Sequence, residues 1–311
     1  MKGSLQLVSI IIPSYNEGKA LLETLQNLVE NIRNSSFDEE YEIIVIDSSD
    51  DGKADIRYFS HLKDNNRIKI IHRKLRTFPG EARNIGVKNA KYDIIVFTDV
   101  GFKFEKDWLV KLIKPLLTDC SIDIAWGITK TSTENKMDRL FAHLIGGREK
   151  TRRIIPNVAI RKKVFLDGHW FKNDLRAVED TRFIHEIKGN YNEVFVEAIN
   201  YYSGHPQNLV EAFKKWSAYS YYSYMAGYRR KAYLSIFQLV FYLLLIILLR
   251  NRLALFLIVL LQFLRVVLKS DKNYKVNVLE KIYVLILSFA IDIGRLQGSL
   301  KAIIKYRFKW S

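Results

Sequence analysis

The chain has 311 residues, a formal net charge of +16, a pI near 9.6 and one cysteine, Cys120. A lone cysteine excludes an internal disulfide framework and any cysteine-based zinc site. The basic excess implies an anionic partner: nucleic acid, an anionic membrane surface or a phosphorylated substrate.

In chain order, the opening MKGSLQLVSIIIPSYNEG has a short apolar run that meets Pro13 and Asn16 instead of a small-residue cleavage site. It therefore lacks the pattern of a signal peptide, and the first domain is expected on the cytoplasmic side. Val8 to Ile12 reads as a strand. Lys19 to Ile32 follows with helical periodicity through Leu21, Leu22, Leu25, Leu28, Val29 and Ile32. Strands are predicted at Tyr41–Ile46, Ile68–His72 and Ile94–Thr98, with helices at Glu81–Ala90 and about 106–117. This alternation predicts βαβ units, a mostly parallel sheet and right-handed crossovers over residues 1 to about 125.

Polar residues collect where these strands end: PSYNE at 13–17, DSSDDG at 47–52 and Asp99 after the continuous apolar run Ile94–Phe97. Such a run reads as a strand buried on both faces, and ligands in open α/β sheets sit outside the C-terminal strand ends. Clustered carboxylates repel unless a cation or hydrogen-bonding ligand offsets them, so Asp99 is a candidate for binding a metal or a phosphorylated ligand. Neither GxGxxG nor GxxxxGK[ST] occurs, which argues against dinucleotide and P-loop chemistry. No nucleic-acid motif occurs either, so nucleic acid is not an expected partner. Glu179-Asp180 opens a run that reads as a helix, and His185 on it reads as structural.

The composition shifts sharply after Lys231, and the segment just before it is already distinctive. Phe213 to Tyr228 is rich in aromatic residues (Trp216, Tyr219, Tyr221, Tyr222, Tyr224, Tyr228) beside a basic cluster, as expected of an interfacial helix. Tyr233–Leu249 is uncharged, and Leu253–Leu268 carries only Arg265, near its end and placed to snorkel. The first run just reaches the length needed to span a bilayer and the second falls slightly short without its flanks. Basic flanks (Arg229, Arg230, Lys231; Lys269, Lys272, Lys275) and a basic tail (Lys301, Lys305, Arg307, Lys309) favour cytoplasmic ends, while Arg250 and Arg252 in the connection oppose the charge rule. A hairpin of two membrane helices plus a further membrane-associated helix is expected. In the latter, Asp292 and Arg295 are spaced to pair, and Gly294 and Gly298 form a GxxxG.

Six segments in this order resemble a family 2 glycosyltransferase, an inverting enzyme of the GT-A fold. They are VSIIIPSYNEG (8–18), EIIVIDSSDDG (42–52), GEARNIG (80–86), IIVFTDVGF (94–102), NVAIRKKVF (157–165) and VEDTRF (178–183), and the stretch 204–227 is also similar. The resemblance implies a GT-A domain over about 1–230: a nucleotide-sugar half (about 1–125), an acceptor half (about 126–205) and an interfacial helix (206–230), with the membrane region at 231–311. By similarity, Pro13, Tyr15, Glu17 and Asp47 hold the base and ribose, Arg83 lies near the pyrophosphate and Asn84 near the sugar. The family's Asp-x-Asp, which holds Mg²⁺ or Mn²⁺, reads Asp99-Val100-Gly101, so Asp99 alone remains for metal and diphosphate. Glu179-Asp180 matches the motif whose Asp is the general base. The implied activity is sugar transfer with inversion from a nucleotide-diphosphate-sugar to a membrane-associated acceptor, a lipid-linked saccharide or polyprenyl phosphate. The implied location is the cell membrane, with the catalytic domain facing the cytoplasm. The missing second metal Asp and the single Asp at Ile46-Asp47 also allow a catalytically degenerate scaffold; a nucleotidyltransferase is disfavoured by the absence of its phosphate loop.

Overall fold

The computed structural model describes residues 8–37, 40–50, 66–145, 153–271 and 274–307. Asp51, Gly52, Lys272 and Lys309, named above, lie outside them. The elements are β1 (Val8–Ser14), α1 (Gly18–Arg33), β2 (Tyr41–Asp47), β3 (Ile68–His72), α2 (Pro79–Asn89), β4 (Ile94–Phe97), β5 (Phe102–Phe104), α3 (Trp108–Thr118), β6 (Ile124–Thr131) and α4 (Lys136–Ile145). They continue with β7 (Val158–Arg161), α5 (Lys163–Leu166), α6 (Glu179–Ile187), β8 (Glu193–Tyr202), α7 (Leu209–Met225), α8 (Arg229–Leu248), α9 (Arg250–Lys269) and α10 (Val278–Arg307). Two compact units form: Met1–Lys130 with Glu149–Asp174 and Glu179–Tyr202, and Thr131–Arg148 with Leu175–Val178 and Ser203–Ser311.

The first unit is an α/β domain on one sheet of order β3-β2-β1-β4-β7-β6-β8-β5. The pairs β2–β3, β1–β2 and β1–β4 are parallel, as the βαβ alternation predicts. The pairs β4–β7, β6–β7 and β5–β8 are antiparallel, so the sheet is mixed rather than mostly parallel. The strands responsible include β5 with three residues and β7 with four, too short to show a period in sequence.

The continuous apolar runs exist because both sheet faces are covered. Val8, Ile10, Ile12, Ile43, Val45, Ile94 and Val96 pack with Leu21, Leu25 and Leu28 of α1 and Trp108 and Leu112 of α3. Their neighbours Ile11, Ile44, Ile46, Ile95 and Phe97 face the other way, onto Ala82 and Val87 of α2 and Phe183 and Ile187 of α6. Helix α2 approaches β1 at Gly86, where any Cβ would overlap the Cγ2 of Ile11.

The second unit is helical. Asn208 caps α7 by accepting from Glu211 N at 2.9 Å, while the Glu211 carboxylate accepts from Gln207 N at 2.8 Å. Helix α10 lies against α7 at the expected GxxxG: a Cβ on Gly294 or Gly298 would run into the carbonyl oxygens of Phe213 and Ser217. Of the α7 aromatics, some pack within the unit and others stay accessible. Trp216 stacks on Phe141 (5.5 Å), and Tyr224 is buried with Tyr306 5.9 Å away; Tyr219 is exposed. The Asp292–Arg295 pair forms at 3.1 Å. Arg265 pairs with Asp292 of α10, a carboxylate on a neighbouring helix, and keeps 31% of its side chain exposed. Among the described residues one helix, α8, is long and apolar enough to cross a membrane (mean hydropathy 2.1).

The contact at Gly86 yields a stability prediction. Gly86→Ala should destabilise the chain by about 1–3 kcal/mol through overpacking. In a thermal-unfolding double-mutant cycle, Gly86→Ala with Ile11→Ala should cost less than the sum of the single changes. Strict additivity would show that α2 does not rest on β1 there.

Candidate active site

Neighbouring parallel strands β2, β1 and β4 place their C-terminal ends along one edge of the sheet. Two groups of the expected residues gather there.

The first is built on Arg83, which α2 carries into the domain at 2% exposure. Its Nη1 donates to Glu179 Oε1 at 2.8 Å, and its Nη2 donates to both oxygens of Asp99, at 2.8 and 3.0 Å. The guanidinium also lies over the Phe171 ring, 5.5 Å from its centre. One arginine therefore joins the loop after β4 to the start of α6. Burial acts to lower the Arg83 pKa, but Asp99 and Glu179 outweigh it and the net displacement is upward. For Glu179 the balance tips the other way. Burial pushes its carboxyl up to about 7, with the neighbouring Asp180 charge assisting, and the opposing pull of Arg83 does not cancel this.

Asp180 follows at the first turn of α6, half-buried, with Oδ1 accepting from Thr181 N at 2.6 Å. The chain enters this helix through Val178 at φ 71, a left-handed conformation rare for a β-branched residue, which fixes the direction in which Glu179 and Asp180 leave the backbone. His185 is exposed on α6, as a structural reading allows. Glu17 belongs to the first group by its electrostatics. Its side chain is exposed, yet its carboxyl is displaced upward, by partial burial first and by the Asp99 charge second.

The second group surrounds Asp47, the last residue of β2. Its Oδ1 accepts from Ser49 Oγ at 2.6 Å and its Oδ2 lies 3.2 Å from His72 Nδ1. Tyr15 reaches Asp50 through its hydroxyl (3.2 Å), with Arg76 over its ring at 4.0 Å. Asn16 donates to Asp50 Oδ2 at 2.9 Å and receives Asp50 N at 3.0 Å, so the β1 and β2 loops are sewn together. Pro13 sits on β1 opposite Ile46. Ser49 belongs to the polar cluster expected after β2, whereas His72 and Arg76 were not foreseen as site residues. The signal for His72 is the strand register, which pairs it with Asp47 at the ends of β2 and β3.

Asn84 stands apart from both groups. Its amide donates to Phe171 O and Asn173 Oδ1, both at 2.8 Å, and accepts from Phe171 N at 3.1 Å, which ties loop 171–173 to α2.

For a cation, the donor set at this edge is lean. Asp99 keeps 30% of its side chain exposed and offers lone pairs beyond those used by Arg83. Gly101 adds no carboxylate, its φ is 87, and a Cβ there would meet nothing within 4 Å. No group of three His, Cys, Asp or Glu side chains suited to a metal occurs among the described residues. Asp99 thus fits a cation held by one carboxylate, with phosphate and water completing its shell.

The fold is shared with solved glycosyltransferases. The Staphylococcus aureus TarS fragment 1-349, solved with UDP-GlcNAc, superposes with a TM-score of 0.51 at 21% identity over 65% of this chain and 60% of its own. The mannosyltransferase PcManGT from Pyrobaculum calidifontis, solved with GDP-Man and Mn²⁺, gives 0.50 at 18% identity over 68% and 61%. Among curated relatives, GlyG of Streptococcus pneumoniae is 31% identical over 30% of this chain and 30% of its own length. An uncharacterized glycosyltransferase of Haemophilus influenzae is 22% identical over 57% and 60%. The chain thus spans less than two thirds of the length of these relatives. The family profile Glycosyl transferase family 2 matches residues 9–170, more than half of the sequence, including Glu17, Asp47, Arg83 and Asp99 but not Phe171, Glu179 or Asp180. The chain belongs to glycosyl transferase family 2.

Proposed function

We propose that this protein moves a sugar, with inversion, from a nucleotide-diphosphate-sugar to an acceptor held at a membrane, a lipid-linked saccharide or polyprenyl phosphate. The observation that carries the reading is the junction of Asp99, Arg83 and Glu179-Asp180, since it ties the donor end of the site to the carboxylate suited to act as base. The nucleotide-sugar complexes of TarS and PcManGT support such a donor. Exposed apolar side chains along α8 and α9, with α8 long enough to span, support a membrane helix pair with the α/β unit on the cytoplasmic face.

In this reading the loops after β1 and β2 receive the nucleoside. Asp47, oriented by Ser49 and His72, accepts from the base or ribose, with Pro13, Tyr15 and Glu17 beside it. Asp99 would hold Mg²⁺ or Mn²⁺, which when bound neutralises the diphosphate. Arg83 acts from beneath, its Nη1 and Nη2 turned to the two carboxylates, so it positions Asp99 and Glu179. Asn84 acts likewise on loop 171–173. Asp180 takes the proton from the acceptor hydroxyl as that oxygen attacks the anomeric carbon opposite the leaving diphosphate.

Three measurements test this assignment. Asp180→Asn should lower transfer about a hundredfold or more while UDP and GDP affinities stay unchanged; near-normal transfer would remove Asp180 from the role of base. In calorimetry, UDP or GDP should bind more tightly with Mn²⁺, and Asp99→Asn should erase that difference. No binding of either nucleotide would overturn the enzyme reading. Glu179 sets a pH dependence. Its folded pKa lies above its unfolded one, so its stabilising contribution is full below about pH 4.5 and is lost as pH rises through about 7. The melting temperature of the native chain, relative to Glu179→Gln, should therefore fall across that window; parallel profiles would show that Glu179 is not held in a buried, proton-favouring site.

A further inference from the structure

The helical unit carries a charged cluster with more cation than an internal lock requires. Asp292 of α10 accepts from Arg265 of α9 through both oxygens and from Gln262 Nε2 at 2.9 Å. Gln238 Nε2 of α8 and Arg295 Nη1 of α10 reach the same carboxylate, each at 3.1 Å. One carboxylate thus serves two guanidiniums, and a unit positive charge is left over. Asp292 is mostly enclosed, with 14% of its side chain exposed, whereas Arg265 keeps 31% and Arg295 39%. Among the described residues Arg295 is hydrogen-bonded to Asp292 through Nη1 alone, and 39% of its side chain is exposed.

The surroundings decide what would meet the two guanidiniums. Leu261 and Leu268, four before and three after Arg265, share its helix face and are exposed, as are Phe237, Phe241 and Leu244 of α8. Arg265 lies four residues from the end of α9, about 6 Å along the axis. If α9 enters a bilayer with that end at the surface, its guanidinium lies near the boundary between headgroups and acyl chains. Charged side chains in apolar helical units are costly and mark sites of function, and basic pockets between helices on the cytoplasmic side hold anionic headgroups. Guanidinium is also the side chain best matched to phosphate.

We propose that Arg265 and Arg295 form a binding site for the phosphate of an anionic lipid, whose chains lie along the exposed apolar side chains of α8 and α9. This rests on the membrane part of the reading above, and the test separates the two. Flotation of the full chain with phosphatidylcholine vesicles reads insertion alone; failure to float overturns insertion and the lipid site together. Native mass spectrometry of the detergent-purified chain with equal phosphatidic acid and phosphatidylcholine reads the site. Phosphatidic acid should be retained about tenfold over phosphatidylcholine. Arg295→Gln, with helicity checked by circular dichroism, should lower that retention about fivefold, and Arg295→Lys should keep most of it. Equal retention of both lipids by the native chain overturns the proposal without any variant. So does undiminished retention by Arg295→Gln. Excess inorganic phosphate should not displace the lipid; displacement would make this a site for free anions and overturn the lipid assignment.

Discussion

Arg83 is the constraint on which the active-site end of the α/β unit depends. A guanidinium almost cut off from water is costly to bury, by several kcal/mol per ion, and is tolerated only when its partners are close and well aligned. Its two partners come from distant parts of the chain, one from the loop leaving β4 and one from the first turn of α6. Moving either carboxylate breaks one arm of this buried network, and breaking a buried ion pair costs about 3–5 kcal/mol. The same contact explains why Glu179 can be so enclosed, and the half-buried carboxylate proposed as base, Asp180, is its neighbour in the chain.

Much of this was legible in the residues, and the illegible parts have physical reasons. The strands β1 to β4 announce themselves because burial on both faces requires unbroken apolar runs such as Ile94–Phe97. The antiparallel half does so less, because β5 has three residues and β7 four, at most two periods of alternation, and β7 ends in Arg161 instead of continuing apolar. Arg83 was legible as a cation near the site, yet its burial was not, since a sequence carries no sign of whether a guanidinium faces a ligand or two carboxylates. His72 was invisible as a residue and visible only as a register: once β2 and β3 pair in parallel, the last positions of both strands meet at Asp47.

The helical unit shows the same limit. An arginine near the end of an apolar helix reads as a snorkelling residue by default, and only the neighbouring helix reveals Asp292 as its partner. The GxxxG was weak evidence alone, yet it locates the contact correctly, because two small residues one turn apart let the α10 backbone come down onto α7. The aromatic run of α7 is divided in a related way: amphipathic rings suit both interfaces and packed seams, and Trp216 and Tyr224 meet Phe141 and Tyr306 while Tyr219 stays exposed.

Gly101 departs from the resemblance in side chain but not in backbone. A φ of 87 admits few residue types without strain: glycine freely, and asparagine or aspartate more readily than others because their short side chains bond locally. The position therefore filters its occupants by main-chain shape before any question of chemistry arises. The glycine found here passes that filter freely, and the aspartate of the family pattern passes it only under backbone strain, although there is room for its Cβ. The number of carboxylates offered to a cation is therefore tied to main-chain strain at this one position, separate from the geometry that Arg83 enforces at Asp99.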